Sequence, residues 1–303
     1  LYRSDDGGSS WSQVGNQPAN QFYAVEIDPA QPSRLYGGTQ DNGTLRTPDG
    51  STDGWENIFG GDGFQPLVHP QNSNRIWVQY QYGVVYYSSN GGGSFSYAGG
   101  GIGGSDRAGW NAPHVQDPVD PDRRYFGTNR LYRNSGSTSW SPISGDLTGG
   151  PHQDQNGQVR GTLTTIAVSP LDGNLIYTGS DDSRVFRTTG GGGLWTNVTA
   201  GLPQRWITSL RCDPFDRETA YVTVSGFRWG EPLPRVYRTE DLGANWTAIS
   251  SNLPDAPVNE IFIDPASANH LVVATDVGGI SEQVEDGGQA WIGGRVDVLQ
   301  HVV

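Results

Sequence analysis

Apolar residues along this chain come in short runs, alternating with polar ones or continuous, and nowhere at a sustained helical period. Six runs share one form, an apolar stretch stopped by Asp-Pro or a relative: Val25-Glu26-Ile27-Asp28-Pro29, Leu67-Val68-His69-Pro70, His114-Val115-Gln116-Asp117-Pro118, Ile166-Ala167-Val168-Ser169-Pro170, Leu210-Arg211-Cys212-Asp213-Pro214 and Ile261-Phe262-Ile263-Asp264-Pro265. A second run follows at close range, as in Leu35-Tyr36-Gly37-Gly38-Thr39, Ile176-Tyr177-Thr178-Gly179-Ser180 and Leu271-Val272-Val273-Ala274-Thr275. A third, such as Val185-Phe186-Arg187-Thr188 or Val236-Tyr237-Arg238-Thr239, leads into a glycine-bearing turn. The pattern predicts short β-strands throughout, joined by tight turns.

The turn after the third run repeats: a small hydroxyl residue, any residue, Asp, any residue, Gly, two more, then Trp. It stands complete as Ser4-Asp5-Asp6-Gly7-Gly8-Ser9-Ser10-Trp11 and Thr239-Glu240-Asp241-Leu242-Gly243-Ala244-Asn245-Trp246. Degraded copies pair Asp49 with Trp55, Asn90 with Phe95, Ser135 with Trp140, Gly190 with Trp195 and Asp286 with Trp291. The hydroxyl and carboxylate accept from the turn's own amides, and glycine supplies the positive φ. The closing aromatic buries a large apolar face between neighbouring sheets. Seven copies, with the acidic position at 6, 49, 90, 135, 190, 241 and 286, fall at the spacing of a four-stranded blade, about 40–50 residues. The expectation is an all-β fold: one seven-bladed β-propeller spanning 1–303, its blades four-stranded and antiparallel. A closing blade would be shared between the termini, with Val296–Val303 as its first strand. One second strand is missing from that count, which implies either a three-stranded closing blade or flanking domains in a longer chain, the latter favoured because a repeat of this kind rarely stops mid-blade.

These turns resemble the Asp-box, or bacterial neuraminidase repeat, families, which include sialidases, sortilin-type receptor domains and xyloglucanase-type glycoside hydrolases. The resemblance covers the whole chain and implies the blade architecture. It implies little about activity, because the shared residues are the ones that make turns.

Composition narrows the function. The formal charge is −13, and all 19 basic residues are arginine without a dense cluster, which argues against nucleic acid as partner. Cys212 is the single cysteine, so no intrachain disulfide is available, and no apolar run suits a membrane helix. His69, His114, His152, His270 and His301 lack paired zinc spacing, and Asp5-Asp6 and Asp181-Asp182 do not complete a calcium loop. No cofactor or functional metal is expected, and at most a structural Ca²⁺. The chain opens at Leu1 without Met or signal peptide, as a processed or excised segment would, and a secreted or cell-surface setting, of bacterial type, fits best.

In an antiparallel meander, turns alternate between two faces. The Asp-box turns share one with the first-to-second-strand turns. The other face gathers the second-to-third-strand turns and the crossings between blades. Candidate ligand-binding residues there are Asp41, Asp62, Asp106, Arg107, Trp110, Asp182, Arg205, Trp206, Arg228 and Trp229. The tryptophans would stack on sugar rings, with Asp and Arg binding hydroxyls. Long crossings near residues 96–111 and 141–163 add to this face. The leading expectation is a binding module presenting this face to a glycan or protein partner. The alternative is a glycoside hydrolase, one half of a two-propeller enzyme, with Asp276, Asp62 and Asp41 as candidates for the paired carboxylates. Thr275-Asp276-Val277-Gly278-Gly279 resembles the stretch that carries a catalytic aspartate in the xyloglucanase-type enzymes.

Overall fold

The computed structural model describes residues 2–3, 12–13, 20–51, 54–136, 138–153, 159–267, 270–283 and 294–296. Among these are six sheets of four antiparallel strands, each a meander in which consecutive strands are neighbours. The first sheet runs through Phe22–Ile27, Leu35–Thr39, Gly43–Thr47 and Glu56–Phe59, the second through Leu67–His69, Asn72–Tyr80, Val84–Ser88 and Ser96–Tyr97. The third comprises His114–Gln116, Arg123–Gly127, Leu131–Ser135 and Ser141–Pro142. The fourth comprises Leu163–Val168, Ile176–Ser180, Val185–Thr188 and Thr196–Asn197. The fifth holds Trp206–Cys212, Ala220–Ser225, Val236–Thr239 and Thr247–Ala248, the sixth Val258–Ile263, His270–Thr275, Gly278–Gln283 and Gly294–Val296. The chain divides into two compact units, one holding the first two sheets up to Ala98, the other starting at Gly99 and holding the remaining four.

Six blades replace the expected seven. Tyr2–Arg3 and Ser12–Gln13, placed in a closing blade from sequence, pair with each other in a two-stranded sheet. Val296, expected to open that blade, instead pairs with Gly279 as part of the fourth strand of the sixth sheet. A turn motif records a third and fourth strand; it does not supply the first and second. Asp6, Trp11, Asp286 and Trp291 lie outside the described residues, as does closure by residues 297–303.

The Asp-Pro residues that end each first strand are turn caps. Proline brings no N–H, so the carboxylate accepts from the next amides instead. Asp117 Oδ1 accepts from Val119 and Asp120 at 2.8 and 3.1 Å, and Asp213 Oδ1 from Phe215 and Asp216 at 2.7 and 3.1 Å. Asp28 caps Ala30 and Gln31 in the same way. Where Asp is replaced, Ser169 Oγ or His69 Nδ1 takes one of these amides.

The Asp-box turns close as their chemistry requires. Thr239 Oγ1 accepts from Gly243 N–H and donates to Asp241 Oδ1, both at 2.8 Å, and Asp241 Oδ1 accepts from Asn245 N–H at 2.8 Å. Ser88 and Asn90 repeat the arrangement, with Asn90 Oδ1 taking Ser94 N–H. At Thr188 only the hydroxyl survives, accepting from Gly190 and Gly192. Leu242, at φ 59°, holds the left-handed position that Gly91 and Gly191 fill elsewhere.

Within each unit, side chains of two kinds tie neighbouring sheets together. The anchor indoles reach back: Trp195 Nε1 donates to Ile143 O at 3.0 Å, and Trp246 Nε1 to Val198 O at 2.8 Å. Arginines on third strands reach forward to the following turn, Arg133 to Gly191 O and Arg187 to Leu242 O in the second unit, and Arg46 to Gly91 O in the first. Apolar cores fill the gaps, as where Leu175, Tyr177 and Val185 of the fourth sheet meet Ile207, Leu210 and Val222 of the fifth.

In the third sheet His114 packs edge-on against Phe126 and Trp140, each at 5.6 Å, and neither ring nitrogen has a hydrogen-bond partner. Burial, helped by the Arg124 charge, pushes its pKa down to about 3. The unfolded chain therefore binds a proton that the fold refuses. Stability from this residue is complete above about pH 6.5 and falls as pH drops toward about 3, with a slope of up to about 1.4 kcal/mol per pH unit. His114→Phe is expected to flatten that part of the stability profile, read from denaturant midpoints between pH 3.5 and 7.

Candidate functional site

The meander puts the second-to-third-strand turns and the crossings between sheets on one side of each sheet, and the candidate residues lie in these segments. In the first unit the turn Thr39–Gly43 places Asp41 at φ 61°, a conformation Asp tolerates better than most residues. Asp62, 4% exposed, accepts from Asp41 N–H through Oδ1 at 2.7 Å. Asp62 therefore fastens the crossing to the turn, while the Asp41 side chain faces solvent. The turn Gln81–Gly83 beside it was not singled out from sequence. It carries Tyr82 at φ 56° and 62% exposed, next to Tyr80, whose ring lies flat on Gly61. No composition signal marks it, because the tyrosines read as ordinary strand residues.

In the second unit Asp106 and Arg107 are brought into one bonded network. Asp106 Oδ2 accepts from Thr128 Oγ1 at 3.1 Å and from the Tyr132 hydroxyl, and Arg130 stands 3.6 Å from Oδ1. Arg107 donates to Gly161 O at 3.0 Å, Asp146 Oδ2 at 2.7 Å and Thr148 Oγ1 at 3.1 Å. Asp106 holds the long crossing onto the third sheet, and Arg107 holds it to the crossing that follows that sheet. Asp182 is tied similarly, accepting from Ser180 Oγ and Gly149 N–H. Its neighbour Asp181 is buried and takes Gly161 N–H, Thr162 N–H and Thr162 Oγ1, with burial raising its pKa. Trp110 is 41% exposed on the crossing. Asp276 Oδ1 accepts from Asn259 Nδ2 at 2.7 Å at the turn of the sixth sheet.

Four of the predicted residues do meet. Trp206 opens the first strand of the fifth sheet opposite Ser225, which brings the 226–235 connection over it. Arg228 lies 4.2 Å from the Trp206 ring centre and Arg160 5.5 Å, while Arg205 lies 5.1 Å from that of Trp229. Glu231, which the sequence reading passed over, ties the group: its carboxylate takes Arg205 Nε at 3.1 Å and also binds Arg235. Hydrogen bonds from Arg205 and then Arg235 hold that carboxyl below the usual range. Phe227, Trp229 and Leu233 stand 65%, 49% and 52% exposed on the same connection. The indoles thus carry guanidinium groups against them, where open faces for sugars were expected. Among the described residues no three His, Cys, Asp or Glu side chains group as metal ligands, and no helix is long and apolar enough to cross a membrane.

Comparison with solved structures decides the architecture. An ancestral GH74 enzyme superposes with a TM-score of 0.69 at 18% identity over 92% of this chain, and the GH74 xyloglucanase from Xanthomonas campestris with 0.54 at 16% over 96%. YCF48 bound to D1 peptide gives 0.59 at 13% identity, covering 93% of this chain and 85% of that one. The fold is a β-propeller. Its blades are the four-stranded antiparallel sheets described above. The propeller spans only 38% and 55% of the two GH74 chains. No family model matches the sequence, and no curated protein does, so the Asp-box resemblance rests on the turns themselves.

Asp62 anchors a turn through one carboxylate oxygen, and removing it leaves a strained Asp41 with an unmatched amide. Asp62→Ala is expected to cost about 1–3 kcal/mol in urea unfolding, whereas Asp41→Ala, at an exposed side chain, should remove far less.

Proposed function

We propose that this propeller is a binding module whose fifth blade presents an arginine–tryptophan patch to a protein partner, received as a peptide segment bearing carboxylates. The observation carrying this reading is the 226–235 connection, where Phe227, Trp229 and Leu233 are exposed beside Arg205, Arg228 and Arg235. Exposed aromatic residues with arginine are the composition of interface hot spots. Guanidinium forks next to indoles suit carboxylates flanked by apolar side chains better than they suit neutral sugar faces. Against a whole-chain formal charge of −13, this local concentration of positive charge is selective for an acidic segment over the protein's own surface. A peptide-bound neighbour of the same fold, YCF48 with D1 peptide, is consistent with it. A secreted or cell-surface setting, with further domains beside the propeller, belongs to the same proposal.

The test is a fluorescence-anisotropy screen of acidic, aromatic-containing peptides. Trp229→Ala and Arg228→Ala are each expected to weaken the best hit by at least about tenfold, or ~1.4 kcal/mol. Binding that survives both changes, or selection of a glycan that depends on Trp229 and Arg228 in place of peptides on a parallel array, overturns the assignment.

One observation favours a second reading, hydrolysis of a polysaccharide: the partly exposed Asp276 at the Thr275–Gly278 turn, in a fold shared with GH74 enzymes. Asp62, Asp106 and Asp182 each accept from backbone or side-chain donors within the fold. On the binding reading, no reducing sugar is released from β-glucans by this chain. Release that Asp276→Asn abolishes would replace binding with hydrolysis.

A further inference from the structure

A cavity of about 400 Å³ opens on the fourth blade, away from the partner patch in chemistry though adjacent to it in sequence. It is lined by Asp182, Ser183 and Arg184 from the second-to-third-strand turn, by Asn197 and Thr199, and by the Ala200–Gln204 segment of the following crossing. Its size falls within the range of small-molecule sites, roughly 300–1,000 Å³. Its walls hold no aromatic ring, and Leu202 and Ala200 are the apolar members. A neutral sugar held by stacking has nothing here to stack on.

The polar groups divide into spent and unspent. Thr199 Oγ1 accepts from Val185 N–H at 2.9 Å and donates back to Val185 O at 3.3 Å. Ser183 Oγ donates to the Asp182 carbonyl, and Asn197 Oδ1 takes Thr199 N–H at 3.0 Å. Among the described residues the Arg184 guanidinium, Asn197 Nδ2 and the Gln204 side-chain amide bond to nothing, and Arg184 is exposed. The turn holds Ser183 at φ 70°, a left-handed conformation that a non-glycine residue adopts at a cost and that concentrates at binding sites. What remains is a surplus of N–H donors around one planar cation, with Asp182 still able to accept from a hydroxyl.

We propose that this cavity is a binding site for an acidic monosaccharide unit, a uronic acid. Arg184 takes the carboxylate in its fork, Asn197 and Gln204 donate to ring hydroxyl oxygens, and Asp182 accepts one hydroxyl. The site is separate from the arginine–tryptophan patch and does not depend on that assignment.

Isothermal titration with galacturonic acid and its trimer, against galactose and acetate, tests it. Saturable binding of the uronate is expected, with galactose and acetate each at least about tenfold weaker. Arg184→Gln should lower uronate affinity at least about tenfold without shifting the thermal midpoint, since no described residue relies on that guanidinium. Should that variant fold poorly, Gln204→Ala is expected to weaken uronate binding severalfold. No uronate binding, equal binding of galactose or acetate, or full affinity in the folded variants overturns the site.

Discussion

The amides of the turn between the third and fourth strands need acceptors, and a hydroxyl followed two residues later by a carboxylate supplies them without help from elsewhere. Thr239 and Asp241 between them satisfy Gly243 and Asn245, and Ser88 and Asn90 do the same for Gly92 and Ser94 in the second sheet. Because the turn is self-contained, its outer carbonyls remain available. Arg187 takes the one at Leu242, and Trp246, projected by the same turn, takes Val198 O in return. The third, fourth and fifth blades are therefore fastened in turn by a bond given and a bond received. The apolar core between them packs within limits those bonds set.

Features that depend on neighbours along the chain were legible in the sequence. The hydroxyl-carboxylate turns at Ser88 and Thr239 and the Asp-Pro strand ends follow from spacings of two to five residues, and they fold as read. The number of blades did not follow. A turn motif counts third and fourth strands, and Ser12–Gln13 finds only Tyr2–Arg3 as a partner among the described residues. Likewise Val296, expected to begin a closing blade, lies in the last strand of the sixth sheet, opposite Gly279.

The candidate site shows the same division. Arg205, Trp206, Arg228 and Trp229 were identifiable as residues without a place in the repeat, and they do gather. Their roles were not identifiable, since Arg160 comes from a different sheet and Glu231 sits among residues that look like ordinary loop. The structural bonds of the loop aspartates were hidden from the sequence for a related reason. An acidic residue near a surface suggests chemistry, yet an Asp one bond from a buried amide is more useful as a staple, and Asp62, Asp106 and Asp182 all serve that way. What distinguishes them is a partner 20 or more positions distant, which one sequence cannot reveal.

The exclusive use of arginine acquires a physical meaning from these contacts. A guanidinium has five donors in a plane, so one side chain can span from a strand to the next blade's carbonyl and still use its remaining donors or its flat face. Arg46 does this with Gly91 O at one end and Glu56 at its own strand's neighbour. Arg205 does it with Glu231 along its edge and Trp229 against its face. An ammonium concentrates its charge at a point and presents no plane, so it could satisfy one such contact and lose the other. The same property that lets arginine join blades makes it the recognition element where a blade edge is left open. The scaffold and the patch are thus two uses of one side-chain geometry, separated only by whether the second partner comes from inside the chain or outside it.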